Sequence, residues 1–190
     1  ASQTAMAAIA ASQTAMAAVA ASYVAVAAVY GSAVAVDAVK ANETAWATLT
    51  GATSAVMGKA VAVLSGLNPD SYADMAAVAA SQTAMAAIAA SSTALSAIAA
   101  STTALDAIYA QKKRMSGASA SLSGKFIILQ ISNDNAFDTS RYGYATLSDG
   151  SKPKWDSYKD KYAYFKQYKK IATYMKNDTD SDDWIDYFQC

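Results

Sequence analysis

Few side chains in this sequence are equipped for chemistry, and most of those lie near its end. Asp178, Asp180 and Asp182 have the one-three-five spacing of a calcium loop, which needs glycine at position six and an acidic residue at twelve. Those positions hold Asp183 and Gln189, so "NDTDSDDWIDYFQC" reads as a solvated acidic turn and not as a metal site. Histidine is absent, which removes the commonest general base and metal ligand. The single cysteine, Cys190, is the last residue and excludes an internal disulfide or a CxxC pair. No glycine-rich phosphate loop and no catalytic pair stands out. The expectation is a protein that is not an enzyme, with no cofactor and no metal. Tyr142, Tyr144 and Trp155 are the remaining candidates, because aromatic rings with hydrogen-bonding tips suit a glycan or a partner surface.

These candidates sit in a region with its own composition. Residues 111–190 hold eight of the twelve Tyr, two of the three Trp and every Phe, with thirteen basic and ten acidic side chains. "KFIILQIS" (125–132) is β-branched and apolar, the pattern of a strand. "RYGYATLSDGSKPKW" (141–155) predicts a strand, a turn at Asp149-Gly150 and a proline-limited connection. From 155 to 176, Trp155, Tyr158, Tyr162, Phe165, Tyr168, Ala172 and Met175 fall at three- and four-residue steps, which predicts one amphipathic helix. These elements make a small α+β domain over 125–190, joined through a Gly/Ser linker at 111–124. The preceding cluster Lys112, Lys113 and Arg114 suits the end of a helix dipole and is too small for a nucleic-acid footprint.

Residues 1–110 are of another kind. "ASQTAMAAIAASQTAMAAVA" opens a decapeptide repeat with paired apolar residues at Met6 and Ile9, Met16 and Val19, Val26 and Val29, Val36 and Val39, and Trp46 and Leu49. The register blurs through 51–71 at Gly51, Gly58, Gly66 and "NPD", where Asp70 or Ser71 is placed to cap the next helix. It returns at Met75 and Val78, Met85 and Ile88, Leu95 and Ile98, and Leu105 and Ile108. The expected segments are a first array over 1–66 and a second over 67–110, after the Pro69 break.

Spacings of three and seven suit a helix, and alanine is the best helix former. Ten residues at about 100° each leave the apolar stripe roughly 80° short of three turns, so it winds around a long helix. The favoured fold class is therefore mainly α: long Ala-rich helices in an oligomeric, coiled-coil-like stalk, a trimer favoured, followed by the small α+β domain. Met6, Ile9, Met16, Val19, Met85, Ile88, Leu95 and Ile98 are the expected oligomer core. A second reading breaks each decad at a serine N-cap (Ser2, Ser12, Ser22, Ser81, Ser91, Ser101) and stacks the short helices as a solenoid.

Residues 1–110 carry two basic residues (Lys40, Lys59) and five acidic ones (Asp37, Glu43, Asp70, Asp74, Asp106), and residues 1–36 carry no charge. That uncharged stretch is long enough for a bilayer, yet its regular Ser, Thr and Gln, without flanking Lys/Arg or aromatic belts, argue against membrane insertion. Nor does the charge balance call for nucleic acid. The chain opens inside a repeat without a methionine, as a trimmed piece of something longer would, and without the basic segment of a signal peptide.

The repeats "SQTAMAAIAA", "SSTALSAIAA" and "STTALDAIYA" resemble alanine-rich decapeptide arrays in virion structural and tail fibre proteins of tailed bacteriophages. The resemblance covers about 1–110. It implies an extracellular virion appendage with other virion proteins as partners, and a terminal domain docked to one of them or to a host surface glycan. A membrane-associated protein with an inserted Ala-rich segment and a surface-binding solenoid are the alternatives.

Overall fold

A computed structural model describes residues 2–117, 119–132, 143–155, 160–177 and 183–190, with backbone alone at 154 and 155. It contains two compact units, Ala1–Ile108 and Tyr109–Cys190.

The decads do not form a long helix. Each folds as its own two-turn helix: α1 (Gln3–Ala11), α2 (Gln13–Ala20), α3 (Tyr23–Tyr30), α4 (Ala33–Lys40), α5 (Glu43–Thr50) and α6 (Ser54–Leu64), then α7 (Met75–Ala80), α8 (Gln82–Ala89), α9 (Ser92–Ala100) and α10 (Thr102–Ala110). The chain turns by 101° between α2 and α3, 89° between α5 and α6, and 104° between α8 and α9. This overturns the long-helix stalk in favour of the solenoid reading.

The physical reason lies in the caps. Ser12, Ser22 and Ser32 adopt extended backbone, and each Oγ accepts the N–H three residues on, at 3.3–3.4 Å. Asn42, Thr53, Asp74, Ser81, Ser91 and Ser101 do the same at their helices. A side-chain oxygen thus satisfies an otherwise orphaned donor, and within each array the break consumes one to three residues, with glycine only at Gly31 and Gly51 and no proline. Ten residues therefore suffice for a helix and its corner. Ser2 makes no such side-chain bond.

Helices three apart stack: α4 on α1, α5 on α2 and α6 on α3, about thirty residues per superhelical turn. Counting Ala1 as position 1, residues 3, 4 and 7 face solvent in α1, α2, α4 and α5 (Gln3, Thr4, Ala7; Gln13, Thr14, Ala17; Ala33, Val34, Asp37; Glu43, Thr44, Ala47), whereas in α3 Val24 alone does, Tyr23 being half-buried and Ala27 buried. Positions 5, 8 and 9 form one stacking face, and positions 6 and 10 form another about 120° around the helix. The alanines at position 5, and the Ala or Thr at position 8, allow neighbouring turns to approach closely. The second array packs through α7, α8 and α9 on α6, with α9 also against α3.

The residues expected to form an oligomer core instead build the core of a single chain. Met6, Met16, Met85, Ile88, Leu95 and Ile98 are buried within it, and Ile9 and Val19 are half-buried. One chain shields this stripe by itself, because the bends bring α1–α6 around it.

The segment between the arrays also differs from expectation. Gly58 is no breaker: it lies inside α6, where an added Cβ would sit 2.3 Å from the Asp74 carbonyl carbon, so glycine permits the close crossing with α7. Pro69–Ser71 form a single 3-10 turn, and the cap of α7 is Asp74, not Asp70 or Ser71. Asp70 pairs with Lys59 at 3.0 Å.

The second unit is an antiparallel sheet with strand order β1-β6-β2-β5-β3-β4. Its strands are β1 (Lys113–Ser116), β2 (Ser121–Ser132), β3 (Gly143–Leu147), β4 (Lys154–Trp155), β5 (Ala172–Lys176) and β6 (Trp184–Gln189). The predicted linker at 111–124 supplies β1 and the start of β2. Among the described residues of the predicted helix over 155–176, α11 (Ala163–Tyr168) is the helical part, closed by Lys169 in the left-handed region at φ 52°, and Ala172 and Met175 belong to a strand. α11 lies over β2, with Tyr164 joining Met115, Phe126, Ile128, Ile131, Met175, Ile185 and Tyr187 in the core. The acidic tail ends in a strand, β6, which pairs with both β1 and β2.

Candidate functional site

The three predicted binding aromatics fare differently. Tyr142 lies outside the described residues, as do Asp178, Asp180 and Asp182. Trp155 is placed by its backbone on β4, paired with Gly143, while Tyr144 pairs with Lys154. Tyr144 is half-buried on the face of β3 opposite Ala145 and Leu147, and its ring lies 5.7 Å from that of Tyr174 on β5. The neighbouring Thr173 hydroxyl donates to the Thr146 carbonyl at 3.1 Å, tying the same two strands. Sequence spacing hides Tyr174, because its segment reads as helix.

A denser constellation lies across the other half of the sheet. Strand register aligns Arg114 on β1, Asp186 on β6 and Gln130 on β2 in one row. Asp186 is fully buried. Arg114 grips it at both oxygens, Nε to Oδ1 at 2.7 Å and Nη2 to Oδ2 at 2.9 Å. A fork matched to a carboxylate is the geometry in which burying this charge becomes tolerable. The Tyr109 hydroxyl is 3.1 Å from Gln130 Oε1 and 3.2 Å from Asp186 Oδ2. Trp184 covers the guanidinium, with its ring centre 3.7 Å from Arg114 Cζ.

Around Tyr109 the surface is cationic. Lys112 and Lys161 hold their ammonium groups 4.2 and 4.4 Å from its ring centre. Tyr162 meets it edge-on at 5.5 Å and adopts the left-handed backbone, φ 67°. Burial raises the Tyr109 phenol above its ordinary range, and the adjacent Asp186 carboxylate adds to the shift. The hydrogen bond to Asp186 raises Arg114 above its ordinary range, so the guanidinium stays charged. Burial pushes the Cys190 thiol up to about 12, so at neutral pH it is protonated and a poor nucleophile. No cluster of three ligating side chains occurs among the described residues.

This arrangement braces three strands and presents lysines over aromatic rings. Its members are separated by up to 77 positions in the chain, and no local spacing announces them. Comparison with protein-family models, curated proteins and solved structures gives no match.

Proposed function

We propose that the chain is a non-catalytic structural module of a virion appendage, in which a decapeptide solenoid carries a small sheet domain that docks to a virion partner or a host surface glycan. The observation supporting this reading is that the repeat spends its sequence on construction. Caps form the corners, positions 5, 6, 8, 9 and 10 form the stacking faces, and the outward positions carry no recurring ionisable group. The likeness of the repeats to phage appendage arrays supplies the virion context.

Among the described residues no single helix is long and apolar enough to cross a membrane, although three bent pairs pass by length and composition. A solenoid displaying threonine rows to a repetitive surface is disfavoured, because Val24 and Val34 stand where Thr4, Thr14 and Thr44 would continue the row.

The test is immunogold labelling of assembled particles with an antibody against residues 113–190, together with a variant in which residues 12–41 are duplicated. Appendage labelling in both proteins is expected. A chain that stays free of particles, or partitions into membranes, overturns the assignment.

A further inference from the structure

Strand pairing gathers a set of residues on the side of β3 and β5 that turns away from the core. Antiparallel partners share a face, and the register places Ser121, Lys176, Tyr144 and Lys154 in one row across β2, β5, β3 and β4. Two residues along, Ser123, Tyr174 and Thr146 form a second row. Between the rows, Leu122, Met175 and Ala145 belong to the other face and pack in the core.

This half of the outer face is open where the other half is closed. Ser121 and Ser123 are exposed, and Tyr144, Thr146, Tyr174 and Lys176 are half-buried. On β6, Asp186 and Phe188 alternate with the core residues Ile185 and Tyr187, and they are 0% and 7% exposed. Tyr144 and Tyr174 thus lie outside the core, at the boundary with water, with their rings 5.7 Å apart at 37°. Two such rings side by side offer an apolar strip edged by phenol hydroxyls, bordered by the hydroxyls of Ser121, Ser123 and Thr146.

We infer that this face binds an acidic polysaccharide, its sugar rings laid on Tyr144 and Tyr174 and its carboxylates drawn to the lysines. A sugar ring presents C–H groups to an aromatic face and hydroxyls to the donors and acceptors around it. Charge decides the class: the charged residues at these register positions are Lys176 and Lys154, with no Asp or Glu among them. Single-stranded nucleic acid also stacks on aromatic rings, but it brings a phosphate with every residue and draws its affinity from neutralising them. A pair of lysines among serine, threonine and tyrosine hydroxyls suits a polymer rich in hydroxyls and sparing in charge. The inference rests on the glycan-docking role proposed above and adds to it a place and a ligand class.

Surface plasmon resonance of the full chain over immobilised alginate, polygalacturonate, hyaluronate and polysialic acid, beside dextran and oligothymidylate, tests this. Binding to an acidic polysaccharide is expected, falling as salt rises, with dextran and oligothymidylate silent. Ser123→Glu should weaken that binding several-fold and Ser123→Lys should strengthen it, both with an unchanged circular dichroism spectrum, because the site is exposed. Tyr174→Ala should weaken it by about tenfold or more. Silence on every acidic polymer, preference for dextran or oligothymidylate, or equal binding by the two Ser123 variants would each overturn the proposal. Immunogold labelling of particles does not depend on these polymers, so a labelled appendage whose protein ignores them would sink this inference and leave the virion assignment standing.

Discussion

Residues 2–11 and 81–90 are the same ten letters, SQTAMAAIAA, in two settings. In the second copy Ala84, Met85 and Ile88 are wholly buried; in the first, Ala5 is exposed and Ile9 half-buried. Ser81 caps its helix through its hydroxyl at 3.2 Å, while Ser2 makes no side-chain bond. Local sequence therefore determines that a decad is one helix, and neighbours determine what that helix contributes to stability. A repeat protein is a sum of unit and interface terms, and this pair holds the unit constant while the interface varies.

The largest expected effect comes from truncating the shared isoleucine. Ile88→Ala should cost about 2–5 kcal/mol, and Ile9→Ala less than about half of that, because part of its surface already meets water. Urea denaturation of the two variants checks the ratio; equal losses would show that the two copies are energetically alike. Enlarging the shared alanine comes next. Ala84→Leu forces a closely packed contact apart at about 1–3 kcal/mol, whereas Ala5→Leu should be close to neutral in the monomer. Thermal melts at low protein concentration separate the two.

The caps give a smaller contrast. Ser81→Ala removes an N-cap hydrogen bond worth about 1 kcal/mol, and Ser2→Ala removes none. Hydrogen exchange at the first amides of α8 and α1 reads this directly, with faster exchange expected in α8 alone. Smallest is Tyr30→Phe. The Tyr30 hydroxyl is buried without a hydrogen-bond partner, and burial raises its pKa. Deleting it should leave the melting temperature unchanged or slightly raised, as expected when a buried polar group is unpaired. A clear loss would reveal a partner for that oxygen.

The serines that make the corners are visible in the sequence, and so is the helical character of every decad. What misleads is that a stripe of Met and Ile looks the same along one long helix or ten short ones, since the difference rests on a single extended residue such as Ser12. In the sheet domain, "KFIILQIS" announces β2 through its β-branched run. β6 does not, because Asp186 interrupts its apolar run and becomes tolerable only when Arg114 arrives from 72 positions away. β5 hides inside the expected helix because Ala172 and Met175 continue a three-residue rhythm that Lys169 stops without glycine. The candidate site divides the same way. Tyr144 could be named from composition, while Tyr174 and Arg114 join it or its neighbour only through strand pairing, and Tyr109 reaches Asp186 from the end of α10.

Because the decads are joined by sharp corners, 89–104° at α2–α3, α5–α6 and α8–α9, length and direction are coupled in the repeat arrays. Gaining or losing one unit would re-aim the next helix of the array by about a quarter revolution, while changes in threes would keep each helix stacked on the one three before it. Tandem duplication, the commonest accident of repetitive genes, would here act as a compass adjustment as well as an extension.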